Sequence, residues 1–64
     1  MKTILIVEDD RPLAQGIQMA LSQGGRTIRL AHTLADARAQ LAAEPFDLMV
    51  LDLNLPDGNG LTLL

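Results

Sequence analysis

The stretch Thr3-Ile4-Leu5-Ile6-Val7-Glu8-Asp9-Asp10 decides the fold. Thr3–Val7 is an unalternating apolar run rich in β-branched residues, then three acids follow without a break. Such a run reads as a strand buried on both faces, the habit of parallel sheets. The pattern recurs at Leu48-Met49-Val50-Leu51, which again ends on an acid, Asp52. Between the two runs, Asp10 can cap a helix with Pro12 in its first turn. Apolar residues at Leu13, Ile17, Ala20 and Leu21 predict its buried face, and Gly24-Gly25 ends it. Thr27–Ala31 alternates, as an edge strand does. Thr33-Leu34-Ala35-Asp36 has the form of a capping box, with Leu34, Ala37 and Leu41 as the stripe of a second helix that Pro45 stops. After Asp52, the residues Asn54, Pro56, Asp57, Gly58, Asn59 and Gly60 make a turn-rich loop, and Leu61–Leu64 reads as the first turn of a third helix.

The order β-α-β-α-β with short connections predicts a parallel α/β sheet with right-handed crossovers. With the alternating strand at the edge and the first strand central, the strand order is 2-1-3 and the helices lie on opposite faces. That is the first half of a flavodoxin-like doubly wound sheet. The 64 residues hold no second domain. A chain this short buries only about 60% of its unfolded surface, and its core supplies roughly 3–5 kcal/mol. There is no Cys, so neither disulfides nor thiolate metal sites reinforce it, and the lone His32 cannot build a zinc site.

Composition excludes several functions. Hydrophobic residues make up 48% and charged residues 20%, too apolar for intrinsic disorder. A net charge of −3 and a single aromatic, Phe46, argue against direct nucleic-acid binding. The apolar runs are too short for a membrane span or a secretory leader, so a cytoplasmic setting is expected. Half of the eight acids (Glu8, Asp9, Asp10 and Asp52) fall at the ends of the two buried strands.

In an open α/β sheet, ligands bind at the carboxyl ends of strands where the strand order reverses. That point lies between the first and third strands, so Glu8-Asp9 and Asp52 converge there. Like charges this close raise each other's proton affinity unless a cation neutralises them. Carboxylate oxygens are hard ligands and select Mg²⁺. The expected site is a Mg²⁺ bound by Asp9 and Asp52, with Glu8 holding a ligand water. An Asp carboxylate can also attack a phosphoryl group, and Asp52, at a rigid strand end facing a loop, is the best-placed nucleophile. Asp10 is expected to serve only as a helix cap, Asp57 and Asn59 as turn residues, His32 as a surface residue, and Met19 and Met49 as core fillers.

Ile4–Asp10 together with Asp47–Gly60 resembles the receiver domain of bacterial two-component response regulators. The shared features are an acid pair after the first strand, a hydrophobic strand with a terminal Asp, a Pro four residues later and a Gly eight residues later. The resemblance covers the whole chain and the first half of the family's domain. It implies that residues 1–64 are a partial receiver domain reaching the start of the third helix. It implies further that Asp52 is the phospho-acceptor for a sensor histidine kinase, that Glu8 and Asp9 are the acidic pair, with Asp9 a direct ligand, and that the Asn54 backbone carbonyl completes the protein's share of the Mg²⁺ site. Transcription would be controlled through a DNA-binding output domain lying outside these residues. The family's Thr or Ser after the fourth strand and Lys after the fifth also fall outside them. The 64 residues alone are therefore expected to bind Mg²⁺ weakly and to accept phosphate poorly or not at all, and not to act as a turnover enzyme.

Two other readings use the same residues. A haloacid-dehalogenase-type phosphatase fragment also places an Asp nucleophile at a strand end, but needs Asp-x-Asp where this chain has Asp52-Leu53-Asn54, and leaves Glu8-Asp9 unexplained. A non-signalling structural half-domain would keep the acids without using them. A calcium loop counted from Asp52 fails at Asp57 and Leu63, where Gly and Glu are needed. The strand Leu48–Leu51 has no predicted neighbour on its outer side, and such an edge invites self-association.

Overall fold

The structure, a computed structural model, describes residues 2–64. Three parallel strands, β1 (Thr3–Val7), β2 (Thr27–Ala31) and β3 (Leu48–Leu51), form a sheet in the order β2-β1-β3. The registers Val7↔Ala31 and Val7↔Leu51 bring the carboxyl ends of all three strands level. β1 is central, and Leu5, Ile6 and Val7 are its fully buried side chains.

Alternation along β1 divides the core in two. Ile4 and Ile6 pack with Ala14 of helix α1 (Arg11–Leu21). Leu5 and Val7 pack on the other face with Leu34 and Ala37 of helix α2 (Leu34–Ala43). The two crossovers therefore lie on opposite faces, as the strand order requires. Both predicted helix starts form. Asp10 accepts from the Leu13 N–H at 3.1 Å, and Thr33 accepts from the Asp36 N–H at 3.0 Å. α1 ends at Leu21, and Arg26 donates back to the carbonyls of Leu21 and Gln23. Gly24 and Gly25 follow at φ 77°, a conformation costly for any other residue.

Several expectations need correction: Leu41, expected on the inward stripe of α2, is exposed, and Leu48–Leu51, expected to be buried on both faces, is only half-buried. Leu13 is 51% exposed and Ala20 is exposed; the inward face of α1 is Ala14, Ile17 and Leu21. The small Ala14 lets the helix sit close to β1, and Leu13, one residue earlier, is swung about 100° away. Met19 is 74% exposed and is not a core filler, whereas Met49 does pack against the core. The turn expected at Leu61–Leu64 is not α-helical. Residues Gly60–Leu63 form a 3₁₀ turn, capped by Asn59 accepting from the Leu61 N–H at 2.9 Å. The loop after Asp52 is also more ordered than its turn residues suggested. It contains a small antiparallel hairpin, β4 (Asn54–Leu55) and β5 (Gly58–Asn59), because Leu55 drops into the α2-side core at 8% exposed.

The two edges of the sheet differ. On β2, Gln40 donates to the Leu30 carbonyl at 2.8 Å and Arg29 pairs with Glu44 at 2.9 Å. On β3, no strand among the described residues pairs with the outer side, and Leu48 is 52% exposed. Among the described residues no helix is long and apolar enough to cross a membrane.

With so small a core, single truncations are decisive. Leu5→Ala removes a fully buried side chain from the central strand. It is expected to cost about 3 kcal/mol, as much as a core of this size supplies. Circular dichroism should show the variant largely unfolded at 25 °C; a cooperative melt close to that of the parent would contradict this packing.

Candidate functional site

The acids meet because the backbone ladder carries past the ends of the strands. The Glu8 N–H donates to the Ala31 carbonyl at 2.9 Å, and the Asp52 N–H donates to the Val7 carbonyl at 2.9 Å. Glu8 and Asp52 are thus held on adjacent strands at the same height, with Asp9 next along the chain. One carboxylate oxygen from each of Glu8, Asp9 and Asp52 lies within 4.8 Å of the others. Glu8 is buried at 9% exposed, Asp52 is half-buried and Asp9 is exposed, so the cluster opens to solvent on one side. Asp10, the fourth acid of the strand ends, is occupied as the cap of α1.

The electrostatics follow from the crowding. Glu8 is pushed up from an ordinary 4.5 to about 7, first by sharing a proton with the Asp52 carboxylate, then by burial and by the charges of Asp52, Asp9 and Asp10. Asp52 moves the other way. Glu8 donates to it and so do backbone N–H groups, that of Asn54 foremost, holding it below the usual carboxylate range. The Asn54 N–H reaches Asp52 Oδ1 at 3.1 Å. The two opposite shifts have one leading cause, a proton shared between the Glu8 and Asp52 carboxylates. A divalent cation would take the place of that proton, and three convergent carboxylates are the donor set that a hard ion such as Mg²⁺ selects.

The surrounding residues fix this arrangement. The His32 ring, half-buried and not a free surface group, makes a 2.7 Å hydrogen bond through Nδ1 to the Glu8 carbonyl; since a carbonyl only accepts, Nδ1 is the donor. Gly60 is required by close approach. A Cβ there would collide with the Asp52 carbonyl oxygen, while the Gly60 N–H donates to the Leu53 carbonyl at 3.0 Å. Asn54 stands in β4, paired with Asn59 across the hairpin. Asp57 caps α2 from the hairpin turn, beyond the turn role expected of it. It accepts from the N–H groups of Leu34 at 2.7 Å and Ala35 at 3.0 Å. No local pattern reveals that contact, because its partners lie 23 and 22 residues away. A cavity of about 330 Å³, lined by Lys2, Ile4, Arg26, Asp47 and Leu48, shares no residue with the acids. It sits toward the start of β1 and β3, away from the strand ends that carry the chemistry.

Known proteins share this sequence pattern and fold. The family model of the response regulator receiver domain matches residues 4–64. The swarming motility regulation protein RssB of Serratia marcescens is 47% identical over 58 residues, covering 91% of this chain and 26% of the relative. The transcriptional regulatory protein PmrA of Pectobacterium parmentieri is 44% identical over 61 residues, covering 95% of this chain and 28% of the relative. Among solved structures, the non-phosphorylated HemR receiver domain from Leptospira biflexa superposes with a TM-score of 0.89 at 41% identity, covering 98% of this chain and 51% of that one. The chain thus spans about a quarter of these curated relatives and about half of the solved receiver domain. Since the family model matches nearly the whole of these 64 residues, the chain belongs to the response regulator receiver domain family.

Proposed function

We propose that this chain is the phospho-acceptor part of a two-component response regulator, a signalling module and not a turnover enzyme. Asp52 accepts the phosphoryl group of a sensor histidine kinase. The observation that carries this reading is the convergence of the Glu8, Asp9 and Asp52 carboxylates within 4.8 Å at two adjacent strand ends. Asp9 and Asp52 would hold Mg²⁺ directly, Glu8 through a water, and the Asn54 backbone carbonyl would complete the set. The cation, when bound, offsets charge on the incoming phosphoryl oxygens. Asp52 supplies the nucleophile. Its lowered pKa keeps a carboxylate oxygen free to bond to phosphorus as the donor's bond to phosphorus breaks. The parallel ladder holds that oxygen in place, so little ordering remains for the reaction itself.

Further parts of the reading rest on the family. Relatives that include a transcriptional regulatory protein support control of transcription through an output domain elsewhere in the protein. The cytoplasm is the compartment in which such a kinase and Mg²⁺ would meet the chain. Among the described residues no strand pairs with the outer edge of β3, which supports self-association through that edge.

The proton on Glu8 makes the site sensitive to pH. A carboxyl whose folded pKa is raised stabilises the fold fully below its unfolded value and loses that contribution as pH climbs through the folded value. For Glu8 the window runs from 4.5 to about 7. Asp52 is shifted down, so its contribution is present above 3.8 and lost as pH falls below that. Without Mg²⁺, the chain is expected to melt at a higher temperature near pH 4.5 than near pH 7. Glu8→Gln should flatten that slope, and added Mg²⁺ should raise the melting midpoint at pH 7. A slope unchanged by Glu8→Gln would contradict the shared proton.

Phospho-acceptance is tested by intact mass after incubation with Mg²⁺ and a small acyl phosphate. A slow, Mg²⁺-dependent gain of one phosphoryl group, absent from Asp52→Asn, is expected. Labelling that survives Asp52→Asn would refute the site. Steady hydrolysis of phosphate monoesters would favour the phosphatase reading, and a chain that binds neither Mg²⁺ nor phosphoryl donor would be a structural half-domain.

A further inference from the structure

The hairpin that follows Asp52 is tied to α2 by a carboxylate with no part in the phosphoryl chemistry. Asp57 lies at the turn between β4 and β5. Its two oxygens accept from the Leu34 N–H at 2.7 Å and the Ala35 N–H at 3.0 Å, the first two residues of α2. Those groups have no acceptor within the helix. Thr33 satisfies the third, that of Asp36. One helix end is therefore capped by two separate segments, its own preceding residue and the loop that leads from the acidic cluster. The pairing leaves Asp57 below the usual carboxylate range, the Leu34 and Ala35 N–H groups being the main cause.

Apolar contacts reinforce the tie. Leu55 belongs to the same buried cluster as Leu34 and Ala37. Gly58 lies at φ +146°, and a Cβ there would stand 2.8 Å from Leu34 Cδ1, so the hairpin rests directly on the first residue of α2. At the hairpin's other end, the Asn54 N–H reaches Asp52 Oδ1 and the Gly60 N–H reaches the Leu53 carbonyl. A continuous set of contacts thus runs from the first turn of α2, through Asp57 and the hairpin, to Asp52.

We propose that Asp57 is a positioning residue for the metal and phospho-acceptor site: by capping α2 it holds the hairpin, and with it Asn54, in place beside Asp52. This rests on the reading of Asn54 as a metal ligand. Coupling of this kind is reciprocal, so whatever redraws the hairpin at Asp52 also acts on the first turn of α2.

Comparing two cap variants separates positioning from stability. Asp57→Ala and Thr33→Ala each remove part of the α2 cap, but only the first releases the hairpin. At a temperature where both are folded by circular dichroism, Asp57→Ala is expected to speed amide exchange at Gly60 about tenfold. It should also weaken binding of Mg²⁺ alone about tenfold, as loss of a supporting residue does. Thr33→Ala should leave both within about twofold despite lowering the melting midpoint. Asp57→Asn keeps one acceptor oxygen and should fall between; if Asp57→Ala does not fold, its comparison with Thr33→Ala decides. Equal shifts in Mg²⁺ affinity for the two positions, or none for Asp57→Ala, would overturn the proposal. Failure of the unsubstituted chain to bind Mg²⁺ would instead contradict the metal reading, and the exchange data would still decide whether Asp57 holds the hairpin.

Discussion

Three carboxylates held within 4.8 Å of one another are the constraint around which this molecule is organised. They do not approach by choice of their own side chains. The ladder bonds from Glu8 to Ala31 and from Asp52 to Val7 fix two parallel strand ends level, and the acids stand at those ends. The repulsion that results is borne by the best-buried strand in the molecule, with Leu5, Ile6 and Val7 immediately before the acids. A proton on Glu8 relieves it in the absence of a cation. Three crowded carboxylates are also the donor set that a hard divalent ion selects, and hydrogen bonds from Glu8 and the Asn54 N–H hold Asp52 below the usual carboxylate range.

The rest of the structure can be seen as support for those strand ends. Ile4 and Ile6 anchor β1 on the α1 side, Leu5 and Val7 on the α2 side. His32 holds the Glu8 carbonyl, and Gly60 allows the returning chain to pass against the Asp52 carbonyl. Support is uneven across the sheet. The β2 edge is shielded by Gln40, Arg29 and Glu44, whereas the β3 edge, which carries Asp52, has no neighbouring strand among the described residues.

Much of this was legible in the sequence because it depends on local signals. Thr3–Val7 is buried on both faces and so lacks alternation, which marks a parallel strand directly; Leu48–Leu51 carries the same pattern although it is only half-buried, with Leu48 exposed. Asp10 and Thr33 cap helices whose first turns follow at once. The convergence of Glu8, Asp9 and Asp52 then follows from strand order alone. The features missed depend on contacts distant in sequence. Asp57 reads as a turn residue until α2 is placed beside it. His32 reads as a surface residue until Glu8 is seen beneath it. Leu13 and Met19 fit an apolar helix pattern, yet only one face of α1 meets the sheet, and Ala14 sets which face that is. The hairpin Asn54–Asn59 depends on Leu55 finding the core between β1 and α2, which no local pattern encodes.

On this account a divalent cation replaces a proton shared by Glu8 and Asp52. Calorimetric titration of the chain with Mg²⁺ near pH 7, repeated in buffers of different ionisation enthalpy, reads that exchange. Binding accompanied by release of a fraction of a proton is expected, with the release lost in Glu8→Gln. Binding with no proton release, or release that persists in Glu8→Gln, would contradict it.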